Sequence, residues 1–370
     1  MAMEDDLAFG RRKFLGAAAS IAAANAAPGR DHETAPHDRE LQLFPGSIVE
    51  TDGVRVGHFT DSRRPTGCTV VIFDKGAVAG VDVRGSAPGT RETDLLNPIN
   101  TVQRVNAVLL SGGSAFGLDA ATGVMQYLEE HGQGYRVGSN VVPIVPAAIL
   151  FDLNVGDGKI RPDRHAGYAA CQAASDSRVP QGNVGAGAGA TVGKFFGMKN
   201  AMKGGLGTAS LRVGTELFVG AIVAVNAAGD VLNCRTGRIL AGARTHDGHG
   251  FLNSMARIMD GETLNRGATR SGANTTIGVV VTNAVLTKTE ATKIAQMAHD
   301  GLARTINPVH TAGDGDTVFA AATGTVNTRA GVTTIGSVAA EVMARAINNA
   351  VLTATGIPGY PACRDLADRS

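Results

Sequence analysis

The residues best suited to chemistry in this sequence are two adjacent threonines at the start of an apolar run. Thr275 and Thr276 follow Asn274 and lead from the small polar residues 271–273 into the β-branched run 278–281. A hydroxyl group at such a junction can attack the preceding carbonyl carbon, which would cut the chain and leave Thr275 as an N-terminal nucleophile. An ordinary loop that enters a buried strand has the same pattern. The tripeptide alone does not distinguish these two interpretations.

Four other polar residues stand where they could assist a nucleophile or merely shape the backbone. Asp314 and Asp316 flank a glycine ahead of an apolar run, and Asn226 ends another apolar run. Both patterns are also typical of turns. Lys194 ends a glycine-rich segment, but an isolated lysine is most often a solvated surface residue. Residue type alone therefore leaves all four open as candidate catalytic groups.

Two well-known motifs are approached but not completed. A phosphate-binding loop would need Gly at Ala188 and Ser or Thr at Phe195 of the glycine-rich segment 185–195. A G-x-S-x-G nucleophile elbow fails because Phe116 stands in place of its last glycine. We therefore interpret Ser114 as a helix cap rather than as a nucleophile.

The composition is that of an ordinary globular protein. The chain has 370 residues, of which 44% are hydrophobic and 18% charged, and its net charge is +1. This balance gives no electrostatic basis for binding nucleic acid, and the aromatic content of 4% supplies few stacking platforms. The four cysteines are widely spaced, and the closest histidine pair, His246 and His249, lies beside a glycine in a turn-like sequence. We expect no metal, no cofactor and no nucleic-acid partner.

The first forty residues carry targeting features. Arg11 and Arg12 precede Phe14-Leu15, a short Ala-rich apolar stretch and an Ala24-Asn25-Ala26 pattern, which together predict twin-arginine export to the periplasm or beyond. An Ala-rich leader with a chance arginine pair is the alternative. The apolar stretch is too short for a permanent membrane span. The predicted organisation is a signal peptide (1–27), a linker (28–40) and a single domain (41–370).

The elements that would position these side chains do not alternate in a Rossmann-like order. Apolar runs predict strands near residues 48–60, 69–73, 78–83, 106–110, 217–225 and 278–282, and helical periodicity predicts helices near 114–130, 287–306 and 337–355. Thr287 and Glu290 form a capping-box pattern at the start of the second helix. We infer an α+β fold with helices packed outside a two-sheet core.

Several segments together resemble the DmpA-type self-processing aminopeptidase/amidase family. In chain order they are Arg84-Gly85 with residues 88–94, then residues 110–117, 181–187, 274–283 and 308–320. The resemblance extends over roughly residues 46 to 356 and is greatest to the threonine branch, which includes nylon-oligomer hydrolases and a pantetheine hydrolase. It implies a four-layer αββα sandwich of the kind found in ornithine acetyltransferases, and a homo-oligomer of processed heterodimers.

The resemblance also implies roles for the candidate residues. The chain would be cut between Asn274 and Thr275 into two fragments that stay together. The implied catalytic residues are Thr275, Lys194, Asn226, Asp314 and Asp316. One position departs from the family: Phe151 stands where the nylon-oligomer hydrolases have a tyrosine associated with contact to the substrate or the oxyanion. Because phenylalanine has no donor, either a backbone N–H or Asn226 serves the oxyanion, or Phe151 contacts a different kind of substrate.

A mechanism follows from the chemistry of these groups. An α-amine has a reference pKa of about 8, against about 10.4 for lysine, so the amine of a freed Thr275 is the better base for its own hydroxyl. The ammonium of Lys194 would lower the pKa of that amine, and Asn226 would donate to the oxyanion. The acidic pair would hold the lysine and the amine, or alternatively bind an ammonium group of the substrate. We predict an amide hydrolase for small peptides, amino-acid amides or linear amide oligomers. The alternatives are an acyltransferase of the ornithine-acetyltransferase type and a non-catalytic periplasmic binding protein.

Overall fold

The computed structural model describes residues 33–34, 41–262, 273–328 and 330–367. The predicted signal peptide (1–27) and all of the predicted linker except residues 33–34 lie outside the described residues, as do residues 263–272 ahead of the predicted cleavage site. All described residues fall within one compact unit, His32–Ser370. Among them, no helix is both long and apolar enough to cross a membrane.

The chain contains eighteen strands and six α-helices in its described parts. The strands are Glu33–Thr34 (β1), Val54–Thr60 (β2), Gly67–Val83 (β3), Thr90–Arg91 (β4), Arg104–Ser111 (β5), Tyr135–Val137 (β6), Asn140–Val142 (β7), Ala147–Ile149 (β8), Thr191–Val192 (β9), Met202–Lys203 (β10), Gly205–Val213 (β11), Leu217–Asn226 (β12), Asp230–Leu232 (β13), Ile239–Ala241 (β14), Gly250–Phe251 (β15), Thr275–Ala284 (β16), Ile306–Asn307 (β17) and Thr317–Val326 (β18). The helices are Ala120–Glu130 (α1), Arg164–Gln172 (α2), Ser254–Met259 (α3), Lys288–Thr305 (α4), Val332–Thr353 (α5) and Cys363–Ala367 (α6).

The long strand β3 connects two layers of sheet. Its first half pairs antiparallel with β2 and β5, and its second half pairs antiparallel with β18. Between the halves its register with β5 shifts, and Gly76 has a φ of +68°, which glycine adopts without strain. This bulge redirects the strand from one layer to the other. The exposed Asp74 and Lys75 at the bulge explain why the sequence predicted separate strands at 69–73 and 78–83.

Nine strands form one hydrogen-bonded set, which β3 divides into two layers, the first and the second sheet. The first sheet has the order β2–β3–β5–β8–β4, and the second has the order β11–β12–β16–β18–β3. In the second sheet β16 is antiparallel to β12 and parallel to β18. The amino-terminal ends of β16 and β18 and the carboxyl-terminal end of β12 consequently lie at the same edge.

Side-chain alternation along the strands fills three hydrophobic interfaces. In β16, Ile277 and Val279 belong to the cluster between the two sheets, and Val280 belongs to the cluster under α4 and α5. In β3, Val71 lies in the inner cluster and Val70 in the cluster under α1 and α2. The layers are thus two helices, two sheets and two helices. The predicted four-layer αββα sandwich is confirmed.

The predictions about individual helix starts and strand starts are confirmed in part. The predicted capping box is present, because the Thr287 side chain accepts the N–H of Glu290 and the Glu290 side chain accepts the N–H of Thr287. Residues 48–50 form a 3₁₀ helix instead of the start of a strand, and β2 begins only after a turn. The interpretation of Ser114 as a helix cap is wrong: it begins a 3₁₀ helix with a φ of +55°, and Gly113 occupies the capping position.

Candidate active site

The edge of the second sheet brings the predicted site residues together. Thr275, the first residue of β16, pairs with Asn226, the last residue of β12. Because β18 runs parallel to β16, the turn at residues 314–316 precedes β18 at the same edge. The loop after β9 carries Lys194 to within hydrogen-bond distance of Asn226. Segments that are far apart in the sequence thus converge on one strand end.

The Thr275 hydroxyl lies against the carbonyl group that self-cleavage would attack. Its Oγ1 donates to the carbonyl oxygen of Asn274 at 2.5 Å, and the N–H of Gly315 donates to the same oxygen at 2.9 Å. Both Asn274 and Thr275 are buried. A main-chain N–H in this position stabilises negative charge that develops on the oxygen.

Gly315 also keeps space open beside the hydroxyl. A Cβ atom at this position would lie 2.9 Å from Oγ1 of Thr275 and 2.6 Å from the carbonyl oxygen of Ala87. Both distances are shorter than ordinary van der Waals contact. The missing side chain therefore preserves access to the nucleophile.

Lys194 is buried and contacts the peptide group that precedes Asn274. Its Nζ donates to the carbonyl oxygen and to Oδ1 of Asn226, both at 2.9 Å, and to the carbonyl oxygen of Ala273 at 3.1 Å. Burial lowers the pKa of Lys194 to about 7, although nearby carboxylates oppose the fall. Both the ammonium and the neutral amine are therefore populated near neutral pH.

The Asn226 side chain is held on both sides. Its Oδ1 accepts from the N–H of Thr191 at 3.0 Å and from Nζ of Lys194, and its Nδ2 donates to the carbonyl oxygen of Phe151 at 3.0 Å. Because both partners of Oδ1 are donors, the hydrogen-bond network defines which way the amide faces. An amide nitrogen carries two hydrogens, and the second one forms no hydrogen bond among the described residues.

Phe151 comes from the first sheet and touches the site through its backbone. It follows β8, and the carbonyl oxygen that accepts from Asn226 is its own. The ring is half-buried. The predicted contact between Phe151 and a substrate stays a prediction.

Asp316 has a full set of partners. Its Oδ1 accepts the N–H of Thr276 at 2.6 Å, and its Oδ2 accepts from Nδ1 of His310 at 2.8 Å and from the N–H of His310 at 3.3 Å. The carboxylate thereby holds the residue directly after Thr275. This fixes the start of β16, on which the nucleophile lies.

Asp314 differs from its neighbour. Its Oδ2 accepts the N–H of Thr311 at 2.7 Å, whereas its buried Oδ1 has no hydrogen-bond partner among the described residues. Burial and then the charge of Asp316 raise the pKa of Asp314 to about 6. Neither carboxylate forms a described hydrogen bond or salt bridge with Lys194. Their charges instead act on its pKa through space, which differs from the direct grip that the sequence suggested.

A backbone segment supports the acidic turn from outside. The N–H groups of Arg84 and Gly85 donate to the carbonyl oxygen of Asp316 at 3.0 and 3.2 Å, and the N–H of Ala87 donates to that of Asp314 at 2.8 Å. A Cβ on Gly85 would lie only 2.3 Å from the Asp314 carbonyl oxygen. Arg84 and Gly85, which form part of the family resemblance, thus support the turn through close backbone contacts.

Sequence reasoning missed the main-chain donors and one side chain. The N–H groups of Gly315 and Thr191 carry no signal in residue type, because any residue but proline has one. His310 lies inside the resembling segment 308–320, so a search for polar neighbours of the acidic pair could have found it. In the part of the chain that the structure describes, no three His, Cys, Asp or Glu side chains converge as a metal site.

The chain is similar to known proteins over most of its length. The model of peptidase family S58 matches residues 46–363. An uncharacterized aminopeptidase of Mycobacterium leprae is 44% identical over 301 residues, which cover 74% of this chain and 77% of the relative. A 6-aminohexanoate-oligomer endohydrolase of Kocuria sp. is 32% identical over 275 residues, which cover 72% of either protein.

A solved structure has the same fold at low sequence identity. The L-aminopeptidase D-Ala-esterase/amidase of Ochrobactrum anthropi, described as a variant of the Ntn-hydrolase fold, gives a TM-score of 0.63 at 19% identity. The match covers 88% of this chain and 94% of that protein. This likeness supports the four-layer architecture.

Proposed function

The chain belongs to peptidase family S58 and hydrolyses amide bonds, and on that basis we propose that it cuts itself between Asn274 and Thr275 to expose an N-terminal threonine nucleophile. The observation that supports the proposal is the hydrogen bond from the Thr275 hydroxyl to the Asn274 carbonyl oxygen. The same oxygen also accepts the N–H of Gly315. Nucleophile, target and oxyanion donor are then present in one place before cleavage.

In the maturation step, Oγ1 of Thr275 bonds to the carbonyl carbon of Asn274. The hydroxyl proton passes to Lys194, whose pKa of about 7 provides a neutral amine at neutral pH. The N–H of Gly315 stabilises the oxyanion. The C–N bond then breaks, its nitrogen takes the proton back from Lys194 and becomes the Thr275 amine, and water hydrolyses the ester left on Oγ1. The products are an Asn274 carboxylate and a free Thr275.

In the mature enzyme the Thr275 amine acts as the base. Its reference pKa of about 8 suits proton transfer near neutral pH. Asp314 pairs with Asn274 in a parallel bridge, so the new amine forms close to the turn that holds Oδ1 of Asp314, which has no partner among the described residues. Oγ1 attacks the substrate amide, the leaving amine takes the proton from the Thr275 amine, and water releases the acyl group. Asn226 donates its remaining N–H to the oxyanion.

The sheet topology supports the proposal that the two fragments stay together. β16 and β18 belong to the fragment after the cut, yet they lie between β12 and β3, which belong to the fragment before it. The two fragments would share one sheet and the hydrophobic cluster beneath α4 and α5. We further propose a homo-oligomer of these processed pairs, which light scattering of the purified protein would test.

We propose small peptides, amino-acid amides and linear amide oligomers as substrates. The names of the relatives, an aminopeptidase and a 6-aminohexanoate-oligomer endohydrolase, support these classes. The test is release of free amine from dipeptides, amino-acid anilides and 6-aminohexanoate oligomers by purified protein, with Thr275→Ala as the inactive control. Wild-type release with equal acid formation is the expected result. Transfer of the acyl group to an added amine without acid formation would instead identify an acyltransferase.

We also propose export through the arginine pair. Replacing Arg11 and Arg12 by lysine is expected to retain the precursor inside the cell. Normal appearance of that variant in the periplasm, detected by cell fractionation, would contradict the twin-arginine route.

A further inference from the structure

A second buried lysine lies close to the active centre without taking part in the proposed chemistry. Lys203 in β10 is 0% exposed, and its Nζ donates to the carbonyl oxygens of Gly187 at 2.8 Å, Ala190 at 3.0 Å and Gly204 at 3.0 Å. No described carboxylate forms a salt bridge with it. Three carbonyl acceptors match the three N–H donors of an ammonium group. Burying such a charge is costly, so its position requires a reason beyond filling space.

One peptide group links Lys203 to the site asparagine. The carbonyl oxygen of Ala190 accepts from Nζ of Lys203 and from the N–H of Gly204, the latter at 2.9 Å. The N–H of the same peptide group belongs to Thr191 and donates to Oδ1 of Asn226 at 3.0 Å. The C=O and N–H of a peptide lie in one plane and share its resonance. A cation on the oxygen therefore strengthens the N–H as a donor, since linked hydrogen bonds polarise one another.

The chain of contacts continues to the cleavage site. Oδ1 of Asn226 accepts from Lys194 as well as from Thr191, and Lys194 also holds the carbonyl oxygen of Ala273. The Asn226 backbone pairs with Thr275. Lys203 is thus joined to the nucleophile through an unbroken series of described hydrogen bonds and one strand pair.

We propose that Lys203 is a positioning residue of the active centre. By fixing the peptide between Ala190 and Thr191, it orients the amide of Asn226 and thereby places Lys194 beside the cleavage site. It touches neither the substrate nor the reacting atoms. The inference rests on the proposed function, since it assigns to Lys203 a part in arranging that site.

Lys288 provides a matched control with the same bonding pattern. It is also buried, and its Nζ donates to the carbonyl oxygens of Leu95, Asn100 and Val102 at 3.0, 3.0 and 3.1 Å. None of these three partners bonds to Asn226. Losing this ammonium removes a comparable set of hydrogen bonds at the start of α4 without touching the active-site network.

The experiment compares Lys203→Met with Lys288→Met in the full chain. Methionine keeps an unbranched apolar side chain of similar length and removes the ammonium. The first-order rate of self-cleavage, kcat and KM are measured for both variants, together with their thermal unfolding. If the wild type does not cleave itself at all, the proposed function fails whatever the variants do.

The expected result separates the two lysines. Lys203→Met slows self-cleavage and lowers kcat about tenfold with little change in KM, the pattern of a lost transition-state interaction. Lys288→Met changes neither rate more than about twofold, even if it lowers the melting temperature equally. Burial lowers the pKa of Lys203 to about 7, so Lys203→Met also removes one ionisation from the pH–rate profile, which Lys288→Met retains.

Equal rates for the two folded variants would overturn the proposal. If Lys203→Met does not fold, an ester bond in place of the amide between Ala190 and Thr191 provides a second test. It replaces the N–H that donates to Asn226 by an oxygen and also weakens the Ala190 carbonyl that accepts from Lys203, so it interrupts the same connection and is expected to slow self-cleavage about tenfold. A folded ester variant that cleaves at the wild-type rate would also overturn the proposal.

Discussion

The two sides of Thr275 differ in how completely their polar groups are paired. On one side, Lys194 and Asn226 form a connected hydrogen-bond network with Thr191, Phe151 and the backbone at residue 273. On the other side, the turn at residues 314–316 keeps one buried carboxylate oxygen without a described partner. Buried polar atoms are nearly always paired, so the exception calls for an explanation. On the basic side, each side-chain nitrogen and oxygen of Lys194 and Asn226 has at least one described hydrogen bond before cleavage. The acidic side has an acceptor left for a group that only cleavage creates, the Thr275 amine.

The largest effect on the rate of self-cleavage is expected from removing Lys194, on the hydrogen-bonded side of Thr275. Lys194→Met removes the base near the cleavage site and one of the two donors to Oδ1 of Asn226, and it should slow self-cleavage about 10³-fold. The measurement is the appearance of fragments over time, with Lys288→Met as a control for the loss of a buried ammonium. A Lys194→Met protein that processes as fast as that control would contradict the assignment.

A smaller effect on the rate of self-cleavage is expected from adding a methyl group at Gly315 in the acidic turn. A methyl group at Gly315 would lie 2.9 Å from Oγ1 of Thr275, so Gly315→Ala should displace the N–H donor and slow self-cleavage about 10²-fold. Gly331→Ala is the control, because a Cβ at Gly331 meets nothing within 4 Å. Equal processing rates for the two alanine variants would show that the Gly315 N–H does not serve the oxyanion.

Asp314→Asn should separate activity from stability. The pKa of Asp314 is raised from 3.8 to about 6, so its ionised form destabilises the folded chain above about pH 6, and the penalty disappears below the unfolded pKa. In a non-cleaving Thr275→Ala background, the asparagine should stabilise the fold at pH 7 by about 3 kcal/mol at most. The gain should shrink toward pH 4, as urea unfolding would show.

The same substitution has the opposite effect at the neighbouring carboxylate. Asp316 accepts three donors, so Asp316→Asn should lower stability at pH 7.

For activity, Asp314→Asn should slow hydrolysis about tenfold, because the Thr275 amine loses a charged partner worth about 1.5–3 kcal/mol. If Asp314→Asn stabilises the fold equally at pH 4 and pH 7, the buried charge of Asp314 is not responsible for the gain.

The smallest effect on activity is expected at His310, which contacts Asp316 in the acidic turn. His310→Ala removes the Nδ1 bond to Asp316 and should cost about 1.5–3 kcal/mol of stability. His310→Asn keeps an N–H at the same distance from the backbone and tolerates the φ of +53°, so it should recover most of the loss. Equal unfolding free energies for the two variants would show that the bond contributes little.

The sequence was most informative where function depends on side chains. Thr275, Lys194 and Asn226 could be singled out because hydroxyl, ammonium and amide groups are visible in residue type, and the ordered resemblance placed them in one site. The layers of the fold followed from apolar periodicity, and the start of α4 from the Thr287 capping box. These features depend on local pattern, which a sequence displays directly.

The rest depends on backbone geometry. The bulge at Gly76 joins two predicted strands into one, and its exposed polar neighbours read as a turn. The N–H of Gly315 and the three carbonyl groups around Lys203 acquire their roles from strand pairing and chain reversal, which no residue type encodes. Lys203 accordingly has the same sequence appearance as any solvated lysine.

The most direct test of the central claim is the intact mass of purified wild-type protein, measured beside Thr275→Val and Thr275→Ser. Valine keeps the shape and loses the hydroxyl, and serine keeps the hydroxyl. The wild type and the serine variant are expected to give two fragments, with the smaller fragment beginning at residue 275, and the valine variant is expected to remain one uncut chain. A wild-type chain that remains uncut after prolonged incubation at pH 7, or a valine variant cut at the same bond, would contradict it.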